Sequence, residues 1–194
     1  MRLSIVILLA LTAVVTLPAT ATAKQGKKPP VPIAVGDTFP RLESEFLSGR
    51  KAVLPDAAKG KIALVLMGFT YDSRFAVEKW VARFTDAYGK TEGVTFFEVP
   101  VIGGMARLAR WFIDSGMRRG TPKDLHDNVI TVYGGVDRWK TVMEFTKSGE
   151  NDAYVVLLDG DGRVTWRFRG SLEDRAFAAL QAAVAAELQR RGPS

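Results

Sequence analysis

The chain of 194 residues contains no cysteine and a single histidine, His126. The lack of cysteine excludes disulfides, thiolate nucleophiles, zinc fingers and iron–sulfur clusters. One histidine leaves little basis for a metal site or a histidine-dependent catalytic triad. Glycine-rich phosphate loops and dinucleotide fingerprints are also missing. We therefore expect neither a metal nor a cofactor.

The first 23 residues have the organisation of a secretory signal peptide. Arg2 gives a positive start, residues 3–17 are apolar, and Ala21-Thr22-Ala23 forms an A-x-A cleavage site. An uncleaved membrane anchor is the alternative, but the apolar run is short for a membrane span. We expect a bacterial protein that is periplasmic or secreted after cleavage, so nucleic acid is not an expected partner.

Residues 24–35, "KQGKKPPVPIAV", are basic and rich in proline, which predicts an extended tether ahead of the folded region. The net charge of the chain is +6. The basic tail is therefore a candidate for weak contact with an anionic membrane surface. The length and composition of the remainder fit one globular domain over residues 36–190.

Strand and helix patterns alternate along this domain. "KIALVLMGF" is a continuous apolar run, typical of a strand buried on both faces, and a helix begins after it at Asp72 or Ser73 as N-cap. "GVTFFEVPVI" and "NVITVY" predict two more strands, with a helix over residues 105–119 between them. A short helix, a hairpin through "DGDG" and a last helix capped by Ser171 complete the domain. The order predicts an α/β fold whose mixed sheet has a parallel core, a C-terminal antiparallel hairpin and helices on both faces.

This order, with "LVLMGFTYDSRF" at the end of the first core strand, resembles the thioredoxin-like superfamily over nearly the whole domain. The resemblance implies a three-layer α/β/α fold. Members carry a reactive Cys-x-x-Cys at the start of the first long helix, and those two positions here are Asp72 and Phe75. Members also carry a cis-proline before the next-to-last strand, where this chain has Ala153. Both redox features of the superfamily are therefore missing.

The segment "NDAYVVLLDGDGRVTWRFRGSLEDRAFAAL" resembles the mitochondrial ATP synthase assembly-factor family, the "ATP ten" proteins. The residues that carry the resemblance are Asn151, Tyr154, Asp159, Trp166 and Gly170. It implies a protein that assists assembly of a membrane complex, and it brings no catalytic residues to this chain. The predicted export signal is a departure from that family.

The start of the first long helix is the main candidate site. A negative Asp72 is stabilised at a helix N-terminus, which makes it a poor acid or base near neutral pH, and Ser73 has no adjacent base. Anion binding assisted by Arg74 is an alternative. We interpret this region, called the rim, as a surface that binds a protein partner. The rim consists of Thr70, Tyr71, Asp72, Ser73, Arg74, Asp152 and Ala153.

A second candidate is the strand "GRVTWRFRG", where Arg163, Arg167 and Arg169 lie on one face. This basic face has two interpretations: it docks an acidic partner, or its charges protect a sheet edge from pairing. The four tryptophans, Trp80, Trp111, Trp139 and Trp166, are predicted to be core or half-buried residues.

Together these features predict an exported, redox-inactive thioredoxin-fold protein that acts through protein contacts, as an assembly factor or a chaperone-like factor. The alternative is a thioredoxin- or peroxiredoxin-like oxidoreductase that uses non-cysteine chemistry or a bound cofactor.

Overall fold

The computed structural model of the chain describes residues 29–192. The predicted signal peptide and residues 24–28 of the predicted tether lie outside the described residues. Ile33, near the end of that tether, is 3% exposed and donates its backbone N–H to the Val142 carbonyl. Within the described range, no helix combines the length and the apolar character needed to cross a bilayer.

Seven strands and four α-helices follow one another along the described chain. Their bounds are β1 Leu42–Phe46, β2 Lys51–Leu54, β3 Ile62–Gly68, α1 Ser73–Tyr88, β4 Val94–Pro100, α2 Arg110–Gly120, β5 Ile130–Thr131, α3 Val136–Val142, β6 Ala153–Leu158, β7 Val164–Gly170 and α4 Asp174–Arg191.

The central sheet has the strand order β4-β3-β6-β7, with β3 parallel to β4 and antiparallel to β6. β6 and β7 form the predicted antiparallel hairpin. A smaller sheet, β2-β1-β5, adjoins β4 through two parallel bridges made by Val129 and Val132. The mixed α/β architecture predicted from the sequence is confirmed.

β3 is the continuous apolar run of the sequence, and both of its faces are buried. Its side chains alternate between two cores, because successive residues of a strand face opposite sides of the sheet. Leu64 and Leu66 pack toward α1 and α4, whereas Val65 and Met67 pack toward α3 and the β1–β2 hairpin. Helices therefore cover both faces of the sheet, as a three-layer fold requires.

Three details differ from the sequence prediction. The third predicted strand shortens to Ile130–Thr131, because its neighbours form only isolated bridges. The helix predicted from residue 105 starts as a 3-10 helix, Gly104–Ala109, and Trp111 is 79% exposed rather than in the core. α4 begins at Asp174 because the backbone at Glu173 is still extended, so no cap is formed by Ser171.

Candidate partner-binding site

The start of α1 is closed by a pair of reciprocal hydrogen bonds. Thr70 Oγ1 accepts from the Ser73 backbone N–H at 3.1 Å, and Ser73 Oγ accepts from the Thr70 backbone N–H at 3.2 Å. The reciprocal bonds follow the pattern of a capping box, with serine in place of the usual acid, but they close the turn that leads into the helix, two residues ahead of the N-cap position. We call this pair the capping box. Asp72 is the N-cap residue, one of the two positions predicted from the sequence, but its side chain makes no capping hydrogen bond.

Gly68, the last residue of β3, permits this close turn. A Cβ atom built at Gly68 would lie 2.5 Å from Ser73 Oγ, which is closer than any ordinary contact. The strand can therefore bring Thr70 under the helix only because residue 68 has no side chain.

Thr70 also connects the helix start to the loop before β6. Its Oγ1 lies 3.1 Å from the Glu150 carbonyl and 2.8 Å from Asn151 Oδ1, and the hydroxyl proton is donated to one of these oxygens. The two halves of the predicted rim, which are distant in sequence, are thus held together by one side chain.

Three neighbouring side chains form an exposed aromatic stack above this framework. The Arg74 guanidinium carbon is 4.0 Å from the Tyr71 ring centroid and 4.5 Å from the Phe75 ring centroid. Tyr71 is 73% exposed and Phe75 is 50% exposed. Cation–π contacts of this kind hold the arginine in place while leaving the ring edges open to a partner.

The other rim residues differ in how far they are exposed to solvent. Ser73 and Ala153 are buried, so their side chains lie beneath the surface rather than on it. Asp152 is half-buried, with its Oδ2 3.5 Å from Arg169 Nε. Asp72 is exposed. The part of the rim that a partner can reach is therefore centred on the aromatic stack.

Aromatic packing makes the floor of the rim rigid. Phe69 meets Tyr154 edge to face at 5.1 Å between ring centroids, and it meets Phe145 at 5.3 Å. The Tyr154 hydroxyl donates to the Gly149 carbonyl at 3.1 Å and accepts from the Thr146 N–H at 3.3 Å. Burial raises the pKa of Tyr154, so its hydroxyl stays protonated and serves as a structural donor.

The arginines of the basic face are engaged within the chain. Arg167 pairs with Glu144 and donates to the Ile33 carbonyl, while Arg169 contacts Asp152. Arg163 reaches the Gly36 carbonyl at 3.4 Å. These contacts tie the edge strand β7 to its surroundings, which agrees with the structural interpretation of the pattern.

A cavity of about 540 Å³ opens beside the rim floor. It is lined by Phe69, by Gly103 and Gly104, and by residues 133–138 and Lys140. Four of the lining residues are glycines, and three are charged, namely Asp137, Arg138 and Lys140. The Tyr133 hydroxyl donates to Asp114 Oδ1 at 2.6 Å. Burial, reinforced by the Asp114 carboxylate, raises the pKa of Tyr133.

The rim offers no side-chain set suited to acid–base catalysis. Ser73 Oγ donates to the Thr70 carbonyl at 2.7 Å, so it has no base to activate it. The carboxyl with the clearest perturbation is Glu98 on β4, where burial, and secondarily the Glu78 charge, raises the pKa to about 7. His126 contacts the Thr121 carbonyl at 3.0 Å, far along the chain from the rim. Across residues 29–192, no three acidic or histidine side chains come together as a metal site would require.

Sequence reasoning missed two exposed features. Phe75 was considered only as the position of a lost cysteine, although it is a large apolar residue next to Arg74 and close in sequence to Tyr71. The 3-10 helix and α2 expose four large apolar side chains, of which only Trp111 was considered from the sequence, and it was expected to be buried or half-buried; the four are Met105, Leu108, Trp111 and Phe112.

No protein-family model matches the chain, and no curated protein matches it. Solved structures do. A protein assigned as thiol:disulfide interchange protein DsbE from Chlorobium tepidum aligns with a TM-score of 0.54 at 16% identity, covering 80% of this chain and 99% of that one. The thioredoxin domain of a thiol-disulfide oxidoreductase from Bacteroides vulgatus aligns with a TM-score of 0.52 at 21% identity, covering 77% of this chain and 97% of that one.

A thiol peroxidase from Chromobacterium violaceum aligns with a TM-score of 0.55 at 16% identity, covering 84% of this chain and 93% of that one. At such identities the likeness shows the fold and not the activity. The neighbours are named for thiol chemistry, and this chain contains no thiol. The chain therefore has a thioredoxin-like α/β fold and contains no cysteine.

Proposed function

We propose that the chain is an exported, redox-inactive thioredoxin-fold protein that binds a protein partner at the rim, as an assembly factor or a chaperone-like factor. The observation that carries the proposal is the exposed stack of Tyr71, Arg74 and Phe75 on a rigid helix start. Tyrosine and arginine are enriched where proteins bind each other, because they combine apolar area with directed polar groups.

The framework beneath the stack favours binding over catalysis. Thr70 and Ser73 use their hydroxyls in the capping box and in the link to Glu150, so neither is available as a nucleophile. Holding the rings in one arrangement lowers the conformational entropy that a partner's binding would otherwise cost.

The neighbours named for thiol chemistry favour a second candidate, an oxidoreductase that works through non-cysteine chemistry or a bound cofactor. Disulfide-reductase and peroxidase assays on the purified chain separate the two candidates. The proposal predicts rates equal to background in both assays. A rate above background that increases in proportion to the concentration of the chain would contradict the redox-inactive part of the proposal.

Binding at the rim is tested by comparing two double variants of the tagged chain in cells. Tyr71→Ser with Phe75→Ser removes both rings of the stack, and Trp111→Ser with Phe112→Ser removes an equal number of exposed rings elsewhere. We expect proteins that co-purify with the wild-type chain to be lost from the rim variant and kept by the other. Loss from both variants, or from neither, would contradict a specific role of the rim.

Export is the remaining part of the proposal, and it rests on the A-x-A pattern that ends at Ala23. Mass spectrometry of the chain recovered from a periplasmic extract is expected to find Lys24 as the first residue. Recovery of the chain only in the cytoplasmic fraction with an intact N-terminus would overturn this part.

A further inference from the structure

The segment from Gly104 to Gly120 turns its polar side toward the protein. Asp114 is the buried residue of α2, and its Oδ1 accepts from the Tyr133 hydroxyl at 2.6 Å. Arg110 pairs with Glu45 on β1 at 2.6 Å, and Arg118 Nε donates to the Leu47 carbonyl at 2.7 Å. The helix is thus attached to the domain by hydrogen bonds and ion pairs rather than by an apolar stripe.

The opposite side of the same segment is apolar and faces solvent. Its four large side chains, called the α2 patch, are Met105, Leu108, Trp111 and Phe112, with exposed fractions of 80%, 73%, 79% and 67%. A helix at the surface of a soluble domain normally buries its apolar side. The reversed arrangement, with several large apolar groups side by side, marks a surface that meets an apolar partner.

The charges around the α2 patch indicate which apolar partner fits. The segment from Gly104 to Gly120 contains four arginines and one aspartate, a net charge of +3. Asp114, the only acid in that sequence, is turned inward and bonded, so the segment adds no acid to its outer side. Arg119, near the end of α2, is exposed and donates to Ser115 of its own helix. An apolar and aromatic surface on a segment of net positive charge is the composition of helices that lie in the interface of anionic bilayers.

From this combination we infer that the Gly104–Gly120 segment docks on an anionic phospholipid surface. The α2 patch enters the boundary between headgroups and acyl chains, and the exposed guanidinium of Arg119 contacts a phosphate group. Asp114 and Tyr133 keep the segment fixed to the domain while it lies on the membrane. The inference concerns residues other than the basic tail at residues 24–35, and it does not depend on partner binding at the rim.

Docking of this kind also positions the rim. β3 and β4 are parallel and in register at Gly68 and Pro100, so both chain segments leave the sheet at the same end. The rim follows Gly68 and the α2 segment follows Pro100. A chain held to a bilayer by the α2 patch therefore keeps the end of the sheet that carries the rim near the membrane.

Co-sedimentation with vesicles tests the inference on the chain from Lys24 to Ser194, which contains all described residues and lacks the apolar N-terminal run. The probes are vesicles of phosphatidylcholine alone and of phosphatidylcholine with phosphatidylglycerol. We expect binding to the anionic vesicles that weakens in high salt, and binding ~10-fold or more weaker for Trp111→Ser with Phe112→Ser. The matched control, Tyr71→Ser with Phe75→Ser, is expected to bind vesicles like the wild type. Every variant keeps the basic tail, so the tail cannot explain a difference.

Trp111 supplies a readout that needs no disruptive substitution. Trp80 and Trp139 are buried and Trp166 is half-buried, whereas Trp111 is 79% exposed. A blue shift of tryptophan emission on anionic vesicles is therefore expected to come mainly from Trp111 and to be largely lost in Trp111→Phe. Absence of binding, equal binding to neutral vesicles, or wild-type binding by the Trp111 and Phe112 double variant would overturn the inference. So would a dimer in solution that this variant cannot form, with no vesicle binding, because a second copy would then cover the patch.

Discussion

Glu98 shows at the scale of a single residue how the fold changes a side chain's chemistry. Burial, followed by the charge of Glu78, raises its pKa to about 7 from an ordinary value near 4.5. The folded chain therefore keeps a proton on Glu98 across a pH range in which the unfolded chain has lost it. Folding takes up this proton, so the free energy of unfolding falls as pH rises from about 4.5 to about 7.

Replacement of Glu98 by glutamine is expected to remove this contribution. Glu98→Gln should match the wild type near pH 4.5 and exceed its unfolding free energy by about 1–3 kcal/mol at pH 8, where the wild type carries the buried charge. Urea unfolding at several pH values measures the difference. Glu78→Gln, which removes the weaker cause, is the control and should give a smaller gain. Identical pH dependence in wild type and Glu98→Gln would contradict the assignment.

Gly68 allows a second prediction at this scale, because one added atom should disturb the capping box. Gly68→Ala brings a Cβ within 2.5 Å of Ser73 Oγ, and we expect a loss of about 1–3 kcal/mol in unfolding free energy. In a Ser73→Ala background the oxygen is gone, so the same alanine should cost much less. Urea unfolding of the two single variants and the double variant gives this coupling. Additive losses would show that the contact does not decide the turn.

At the scale of the element, two threonines have hydroxyls with opposite roles, Thr70 in the turn before α1 and Thr85 within α1. Thr70 Oγ1 takes part in the capping box and holds Asn151, whereas Thr85 Oγ1 is buried without a hydrogen-bond partner among the described residues. Thr70→Val is expected to cost about 1–2 kcal/mol, and Thr85→Val to be neutral or stabilising by up to about 1 kcal/mol. Thermal unfolding compares the two matched changes. A Thr70→Val variant as stable as Thr85→Val would refute the capping role.

The elements also show where sequence patterns are informative. β3 could be predicted because a strand buried on both faces needs a continuous apolar run, and α1 because its buried Val77, Trp80 and Phe84 recur at helical spacing. α2 has a helical pattern too, but periodicity does not say which side faces the protein. Only the tertiary contacts of Asp114 and Arg110 show that its polar side is inward.

For the whole molecule, the mixed sheet with helices on both faces followed from the order of the elements. The position of the rim could be predicted in part, because the end of a buried strand and the start of the next helix locate Thr70 to Arg74 in the sequence. The sequence could not show that Ser73 and Ala153 are buried, or that Phe75 joins Tyr71 and Arg74 in one stack. These facts depend on side-chain directions that only the packed structure determines.

The whole molecule has a thioredoxin-like fold but no thiol, so its function must rest on groups other than cysteine. We propose that its exposed surface around Tyr71 and Arg74 binds a protein partner. Fold and chemistry are separable in this way because function resides in the groups placed on a fold.

Site-specific photo-crosslinking in living cells tests this claim most directly. A photoreactive side chain is placed at Tyr71 in the aromatic stack or, as a comparison, at Arg163, which is exposed on the basic face. The account predicts a discrete crosslinked partner from Tyr71, lost when Arg74 is also changed to glutamate, and none from Arg163. Capture of a partner from Arg163 with nothing from Tyr71 would contradict it and would assign the binding surface to the basic face.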